Sequence, residues 1–203
     1  MRGFDPRPDL SKIMETINPT HLLCDLDGVI IVKDLYFSKR FSEEYGVPTD
    51  SVQRFFANEF QECLRGKLDL KVALSPYITE WGVPMSIDEI ITYWFSHERK
   101  ISNNILTQVH ALRSTGTKVH ISTNNETYRA DYIWNTLQLR ESFDTVFASG
   151  HIGFVKPEQE FWSYIWKKLG EPEKKSVLVW DDNNDNIASA RAFGFSAQLI
   201  ESV

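Results

Sequence analysis

The chain has 203 residues, 42% of them hydrophobic and 25% charged, which is typical of a globular protein and not of a disordered one. Its 22 basic and 28 acidic residues give a formal net charge of -6, which does not favour binding to nucleic acid or to an anionic membrane. The two cysteines, Cys24 and Cys63, show no disulfide spacing and indicate a reducing compartment.

The first twenty residues alternate charges and prolines, so they do not resemble a secretory signal. No apolar run reaches the length of about 20 residues that a membrane-spanning helix needs. We therefore expect a cytoplasmic protein, monomeric or homodimeric, in which residues 1–19 form a loosely docked N-terminal extension. Neither a nucleic acid nor a membrane is an expected partner.

The first predicted strand, "HLLCD", leads into the stretch "LLCDLDGVII" from Leu22 to Ile31. Two carboxylates, Asp25 and Asp27, interrupt a run that is otherwise typical of a buried strand. Burial of a charge without a partner is unfavourable, so buried charges are normally paired, hydrogen-bonded or bound to a metal. The sequence therefore predicts a partner for these two aspartates.

Residues 33–100 show no strand pattern and are predicted to form a helical cap. The expected helices lie near residues 34–45, 50–64, 69–81 and 87–97, and Pro76 is expected to bend or break the third. Asp50 with Gln53 and Ser86 with Glu89 have the spacing of capping boxes.

Residues 20–32 and 101–203 are predicted to form the α/β core. The segment 101–203 begins with a predicted helix. A strand at Val119 to Ser122, a helix from about 126 to 139, the strand "DTVFAS" and a helix from Glu158 to Leu169 follow it. The strand "SVLVW", a helix over "NIASARAF" and a strand near "SAQLI" follow. Five strands separated mostly by helices predict a parallel sheet in an open, doubly wound α/β fold.

Polar residues follow several of these strands, at the edge where parallel sheets bind ligands. They are Asp25 and Asp27, Thr123 and Asn124, Lys156, and Asp181 with Asp182. Two carboxylates about 4 Å apart repel each other by roughly 4 kcal/mol at an effective dielectric constant near 20. A hard divalent cation such as Mg²⁺ removes that repulsion, and a lysine and a hydroxyl suit the oxygens of a phosphoryl group.

Four stretches, "DLDGV", "ISTNN", "GFVKPE" and "VLVWDDNNDNIASARAFG", resemble the four ordered motifs of the haloacid dehalogenase-like (HAD) hydrolase superfamily. The resemblance covers roughly residues 20 to 200. The helical insert after the first motif resembles the small C1-type cap of the subfamily that includes sugar-phosphate phosphatases, phosphoglycolate phosphatases and the phosphatase domain of soluble epoxide hydrolase.

This resemblance implies a role for each matching residue. Asp25 would be the nucleophile. Asp27 would protonate the leaving alcohol and later activate water, and its backbone carbonyl would bind Mg²⁺. Thr123 and Lys156 would hold the phosphoryl group. The other implied roles are metal binding by Asp25, Asp182 and Asp181, substrate binding by Asn124, and tethering of the last loop by Asn186. Because the superfamily's dehalogenases lack the second aspartate of the first motif, Asp27 favours phosphoryl transfer.

The expected function is a Mg²⁺-dependent phosphatase acting on a small sugar or nucleotide phosphate through an aspartyl-phosphate. A phosphomutase on the same scaffold and a non-catalytic phosphate-binding protein are the alternatives. The order of the motifs argues against a two-component receiver domain, in which the lysine comes last. In "CLRGKLD", Arg65 or Lys67 could contact the substrate's distal end. His151 is interpreted as a loop residue and Asp185 as a solvated residue at a helix start. The cap aromatics are interpreted as its core: Tyr36, Phe37, Phe55, Phe56, Tyr93, Trp94 and Phe95.

Overall fold

The computed structural model describes residues 18–32 and 34–201. Nearly all of the predicted N-terminal extension therefore lies outside the described residues. A five-stranded sheet forms the core. Its strands are β1 (His21–Cys24), β4 (Lys118–Thr123), β5 (Thr145–Ala148), β6 (Val177–Asp181) and β7 (Ser196–Leu199). Every neighbouring pair is parallel, and the strand order is β5-β4-β1-β6-β7. The predicted fold class, an α/β fold with a five-stranded parallel sheet, is confirmed.

Strand β1 lies at the centre of the sheet because both of its faces are apolar. Leu22, Leu23 and Cys24 are all fully buried, as expected for a parallel strand covered by helices on both sides. Cys24 is level with Ile121 of β4 and Trp180 of β6. The residues that follow these three strands therefore emerge at the same edge of the sheet.

Helices connect the strands of the core. They are α6 (Asn103–Ser114), α7 (Thr127–Asp131), α8 (Ser149–Ile152), α9 (Gln159–Lys168) and α10 (Asn184–Phe193). The predicted helix at 126–139 is only partly correct, since α7 passes into a π-helical turn (Tyr132–Thr136) and a short 3₁₀ turn (Leu139–Glu141) follows. His151, predicted to be a loop residue, lies in the four-residue helix α8.

Five helices, one more than predicted, lie between residues 34 and 100. They are α1 (Phe37–Tyr45), α2 (Thr49–Ala57), α3 (Glu59–Leu64), α4 (Leu70–Trp81) and α5 (Ile87–His97). The predicted helix at 50–64 is divided at Asn58, whose backbone angles of -115° and -94° are not helical. Helix α4 continues through Pro76, so the predicted break does not occur.

One of the two predicted capping boxes is present. Ser86 Oγ accepts a hydrogen bond from the Glu89 N–H at 3.3 Å, and the Ser86 N–H donates to Glu89 Oε2 at 2.7 Å. The other is wrong because α2 begins at Thr49, which places Asp50 inside its first turn. There the carboxylate interacts favourably with the helix dipole without capping the helix.

A second, two-stranded sheet joins the two ends of this helical segment. Strand β2 (Ile31–Val32) pairs antiparallel with β3 (Lys100–Ile101). Two residues are too few to produce an alternating pattern, so the sequence did not predict these strands. The pairing fixes where the chain leaves the core and where it returns.

The helices of residues 34–100 share an apolar core of their own. Phe37, Phe55, Trp94 and Phe95 are buried in it, as the sequence interpretation required, whereas Tyr36 is 68% exposed. No helix within the described residues combines the length and the apolar character needed to cross a membrane.

A contact between the buried His120 and the partly buried His21 makes stability depend on pH. His21 Nδ1 lies 3.1 Å from His120 Nε2, and burial lowers the pKa of His120 to about 4. The fold lowers this pKa below the ordinary value of 6.5. The contribution of the neutral His120 ring to stability is therefore fully present above pH 6.5. The contribution is lost as the pH falls from 6.5 towards 4.

We expect His120 to contribute about 2 kcal/mol less to stability at about pH 5 than at about pH 7. Urea unfolding at the two pH values should show a smaller acid-induced loss in His120→Gln than in the unmodified chain. His110→Gln, at an exposed position, is the matched control. An equal loss in all three proteins would contradict the assignment.

Candidate active site

Three neighbouring strands place polar groups at one edge of the sheet. Thr123 is the last residue of β4 and Asp181 the last residue of β6. Asp25 directly follows β1, and its N–H donates to the Trp180 carbonyl at 2.8 Å, which continues the ladder by one residue. Residues that lie far apart in the sequence therefore meet at one point.

The ammonium group of Lys156 lies at the centre of this edge. Its Nζ is 2.9 Å from Asp25 Oδ1 and 2.6 Å from Asp181 Oδ2, and it donates to the Ser122 carbonyl at 3.0 Å. Lys156 is only 3% exposed. An ammonium group has three protons, and each has an acceptor here. The lysine therefore neutralises buried carboxylates on two different strands.

Burial and charge act in opposite directions on these groups. Burial raises the pKa of Asp25 to about 7, although Lys156 opposes that shift and Asp181 adds to it. Burial alone lowers the pKa of Lys156, but the two carboxylates outweigh it and hold that pKa above its ordinary value. The lysine thus stays charged.

Two asparagines fix the loops that carry the charged groups. Asn124 Nδ2 donates to the Lys156 carbonyl at 2.9 Å, and Asn124 Oδ1 accepts from the Lys156 N–H at 2.8 Å. Both amide atoms of Asn124 thus bind protein backbone, which gives this predicted substrate ligand a role in holding the lysine loop. Asn186 Nδ2 donates to Asp181 Oδ1 at 3.0 Å, a contact that suits the predicted tether.

Three carboxylates are close enough to bind one cation. One oxygen from each of Asp25, Asp181 and Asp182 lies within 4.8 Å of the other two. Carboxylate oxygens are the ligands that Mg²⁺ prefers, so this donor set fits the predicted metal. Gly28 permits the arrangement, because an added Cβ would lie 1.9 Å from Asp182 Oδ2. The side chain of the fourth predicted ligand, Asp27, is not part of this cluster.

Asn125, which the sequence analysis did not select, connects two of the predicted catalytic residues. Its Nδ2 lies 2.8 Å from Asp27 Oδ2 and 2.7 Å from Thr123 Oγ1, donating to both. All three side chains are buried or partly buried. The position of Asn125 at the end of β4, beside Thr123 and Asn124, was the available signal.

Arg129 is a second buried cation that the sequence analysis missed. Its guanidinium donates to the carbonyls of Phe95 and Glu98 and lies 3.9 Å from Asp27 Oδ1. The side chain is 3% exposed and stacks over the rings of Phe95 and Tyr132. Arg129 lies on helix α7, and it therefore links the end of α5 to Asp27.

Arg65 forms an ion pair with Glu158. Its Nη1 is 2.6 Å from Glu158 Oε1, which joins α3 to the start of α9. Gly66 beside it approaches the core so closely that an added Cβ would lie 2.2 Å from the Gly150 carbonyl oxygen. Lys67 lies 3.7 Å from Glu62. The predicted contact of Arg65 with a substrate remains a prediction, and its observed contact joins the helical segment to the core.

A cavity of about 520 Å³, the cap cavity, opens beside Asp27. Its core side consists of Asp27, Asn124, Asn125 and Arg129. The residues from the helical segment that line it are Tyr36, Phe37, Ser38, Gln53, Phe56, Ala57, Phe60, Trp94 and Glu98. Arg65 does not line this cavity. Asp27 and Asn125 line the cavity, and Asn125 also contacts Thr123 at the end of β4, so the cavity adjoins the acidic edge of the sheet.

The family of the chain follows from a match that covers most of it. Residues 19–194 match the model of the haloacid dehalogenase-like hydrolases. The chain belongs to this family. It is therefore a hydrolase of the HAD type, as the four sequence motifs predicted.

Curated relatives of this HAD hydrolase match only in part. Drimenol cyclase drtB of Aspergillus calidoustus is 44% identical over 58 residues, 29% of the chain and 11% of the cyclase. Bifunctional epoxide hydrolase 2 of Rattus norvegicus is 25% identical over 197 residues, 87% of the chain and 35% of that enzyme. The chain thus spans about a third of the epoxide hydrolase. A glyceraldehyde 3-phosphate phosphatase of Methanothermobacter thermautotrophicus is 29% identical over 91 residues, 45% of the chain and 40% of the phosphatase.

Solved structures share the fold at low sequence identity. A HAD family enzyme of Bacteroides thetaiotaomicron, crystallised with magnesium and inorganic phosphate as an Asp-to-Ala mutant, superposes with a TM-score of 0.77 at 19% identity. The match covers 91% of this chain and 95% of that enzyme. An L-2-haloacid dehalogenase superposes with a TM-score of 0.65 at 17% identity, covering 91% of this chain and 85% of the dehalogenase. These matches establish the shared fold.

Gly28→Ala should disrupt the carboxylate cluster. The backbone of Gly28 has φ +89°, and the new methyl group would collide with the Asp182 carboxylate. We expect Mg²⁺ affinity, measured by calorimetry, to fall at least about tenfold, since displaced ligands bind poorly. Gly46→Ala is the control: its φ is +71° with no atom near the new methyl group, so only strain of about 1 kcal/mol is expected. Equal Mg²⁺ affinity in both variants would contradict the proposed geometry.

Arg129→Lys should destabilise the fold by about 2 kcal/mol, because an ammonium group cannot reproduce the planar contacts of a buried guanidinium. Chemical denaturation measures the change. In the control Arg113→Lys, the replaced side chain is 39% exposed and pairs with Asp144, so a change below about 1 kcal/mol is expected. A comparable loss in the two variants would refute a special role for Arg129.

Proposed function

We propose that the chain is a Mg²⁺-dependent phosphatase that hydrolyses a small phosphate monoester through an aspartyl-phosphate on Asp25. The observation that carries this proposal is the contact of Asp25 with the buried Lys156, beside two further carboxylates at the same sheet edge. Such a site pairs a nucleophilic oxygen with a fixed positive charge and a cation site. That combination suits an anionic, phosphorylated substrate.

In the first step, an oxygen of Asp25 attacks phosphorus, and the bond from phosphorus to the leaving alcohol breaks. Asp27 protonates the departing alkoxide. In the second step, Asp27 takes a proton from water, whose oxygen attacks the aspartyl-phosphate and releases inorganic phosphate and free Asp25. Asn125 orients Asp27 for both proton transfers, since it donates to Asp27 Oδ2.

Thr123 and Lys156 bind the phosphoryl group in this proposal, Thr123 by a hydrogen bond and Lys156 by its positive charge, since the three protons of Lys156 already have acceptors. Thr123 Oγ1 accepts from Asn125, which leaves its own proton able to point at an acceptor in the site. Lys156 is held by the Asn124 clamp and supplies a positive charge that needs no reorganisation during the reaction. Both side chains are almost fully buried, so water does not weaken these interactions.

The charges of the described residues support a cation at this edge. The four aspartates Asp25, Asp27, Asp181 and Asp182 outnumber the two cations Lys156 and Arg129, and the buried Glu126 is a further carboxyl group beside Arg129, so negative charge is in excess when all are ionised. A phosphate dianion would be repelled by that excess. Mg²⁺ held by Asp25, Asp181 and Asp182 would neutralise it and polarise a phosphoryl oxygen.

The comparisons agree with this proposal at the level of the family. One partial relative is a phosphatase, and one structural neighbour was crystallised with magnesium and inorganic phosphate. A dehalogenase shares the fold, so the fold alone does not select phosphoryl transfer. The position of Asp27 at the cap cavity, where a leaving group needs a proton, favours it.

Steady-state release of inorganic phosphate from a panel of phosphate esters tests the proposal. We expect turnover that requires Mg²⁺ and that falls about 10³-fold or more in Asp25→Asn, which removes the nucleophile. Asp34→Asn, at an exposed aspartate that pairs with Lys100, should retain normal activity. The proposal fails if no ester shows metal-dependent turnover above that of Asp25→Asn. Isomerised product without phosphate release would instead identify a mutase.

A further inference from the structure

The cap cavity has two chemically different sides. Towards the core it is polar, with Asp27, Asn124, Asn125 and Arg129. Towards the helices of residues 34–100 it is mainly aromatic, with Phe37, Phe56, Phe60 and Trp94. Its volume of about 520 Å³ is within the range of small-molecule sites, about 300 to 1,000 Å³.

The aromatic side is a packed wall. The Trp94 ring lies 5.2 Å from the rings of both Phe37 and Phe56 and 5.5 Å from that of Phe60, between ring centroids. Phe56 is also 5.1 Å from Phe60. Because each ring is held by its neighbours, the wall has a fixed shape. It offers mainly apolar contact, and its one hydrogen-bonding group is the indole N–H of Trp94.

Three polar side chains beside this wall, those of Glu98, Arg129 and Asn124, already bind other protein groups. Glu98 Oε1 accepts from the Phe37 N–H at 2.9 Å. Arg129 donates to two backbone carbonyls, and both amide atoms of Asn124 bind the backbone of Lys156. Tyr36, Ser38 and Gln53 also line the cavity, and Tyr36 and Gln53 are exposed. Against the aromatic wall itself, the hydroxyl groups of a sugar would lose their hydration and meet little but apolar surface, which is unfavourable.

The position of Asp27 orients the substrate. In the proposed function Asp27 protonates the oxygen of the leaving alcohol, and Asp27 lines the cap cavity. Asn125, which also lines it, connects Asp27 to Thr123 at the phosphoryl side. With phosphorus at Asp25 and the ester oxygen at Asp27, the remainder of the alcohol extends towards the aromatic wall.

We propose that the substrate is a phosphate monoester of an apolar alcohol whose hydrocarbon or aryl group occupies the cap cavity. This inference rests on the proposed phosphatase function and narrows its substrate class away from sugar and nucleotide phosphates. The wall of Phe37, Phe56, Phe60 and Trp94 selects the alcohol, while the sheet edge binds the phosphoryl group.

A series of n-alkyl phosphates from methyl to octyl, with glucose 6-phosphate as comparator, tests the proposal in the unmodified chain. Each buried methylene should raise kcat/KM up to about fourfold until the cavity is filled. We expect octyl phosphate to exceed glucose 6-phosphate by at least about 100-fold. A flat series, or a preference for the sugar phosphate, overturns this proposal and leaves the phosphatase function intact. Absence of turnover for every ester overturns both.

A filled cavity provides the second test. Ala57 lines the cavity at the exposed end of α2, so Ala57→Trp should occupy the space of the alkyl group without disturbing a buried position. We expect kcat/KM for octyl phosphate to fall at least about tenfold and that for methyl phosphate to stay within about twofold. Ala111→Trp, on the exposed side of α6, is the matched control. Equal effects on both esters would overturn the proposal. If Ala57→Trp does not fold, the series of n-alkyl phosphates decides the proposal.

Discussion

The contact of one buried ammonium group with two buried carboxylates organises the acidic edge of the sheet. Separation of Lys156 from Asp25 and Asp181 would leave three charges in an apolar interior, where each costs several kcal/mol. The central strand β1 and its neighbour β6 bring the carboxylates together, and β4 supplies the third acceptor, the Ser122 carbonyl. The asparagine clamp on the Lys156 backbone then fixes the loop from which the lysine enters. The strand ends that carry Asp25 and Asp181 and the loop that carries Lys156 are thereby fixed relative to one another.

A second buried cation connects this edge to the helical segment. Arg129 lies near Asp27 and binds the carbonyls of Phe95 and Glu98, at the end of α5 where the chain returns to the core. The short sheet of β2 and β3 holds the same return point. The proposed acid is therefore attached, through one side chain, to the element that carries the wall of the cavity. A shift of α5 would change the environment of Asp27, so the position of the helices and the state of the acid are physically coupled.

The sequence predicted those parts of the molecule that have a local signature. Strand ends that carry Asp25, Thr123 and Asp181 follow apolar runs, and a parallel sheet has only one edge at which they can meet. The break at Asn58 and the strands β2 and β3 involve too few residues to alter a periodic pattern. Arg129 was missed because an arginine on a short helix is usually solvated, and only the packing of Phe95 against it reveals its burial. The pairing of Arg65 with Glu158 likewise depends on how two distant segments dock, which local sequence does not encode.

The site combines a charged sheet edge with an aromatic wall, which suit different parts of a substrate. The fold itself, which a dehalogenase and an enzyme crystallised with magnesium and inorganic phosphate share at low identity, does not determine a function. In this chain the edge carries Lys156 and three clustered carboxylates, which suit a phosphoryl group with a cation. In the proposed reaction the wall, which lines the same cavity as Asp27, contacts the leaving alcohol. Since binding energy from a remote apolar group can stabilise a transition state at the phosphorus, the wall would contribute to rate as well as to selection.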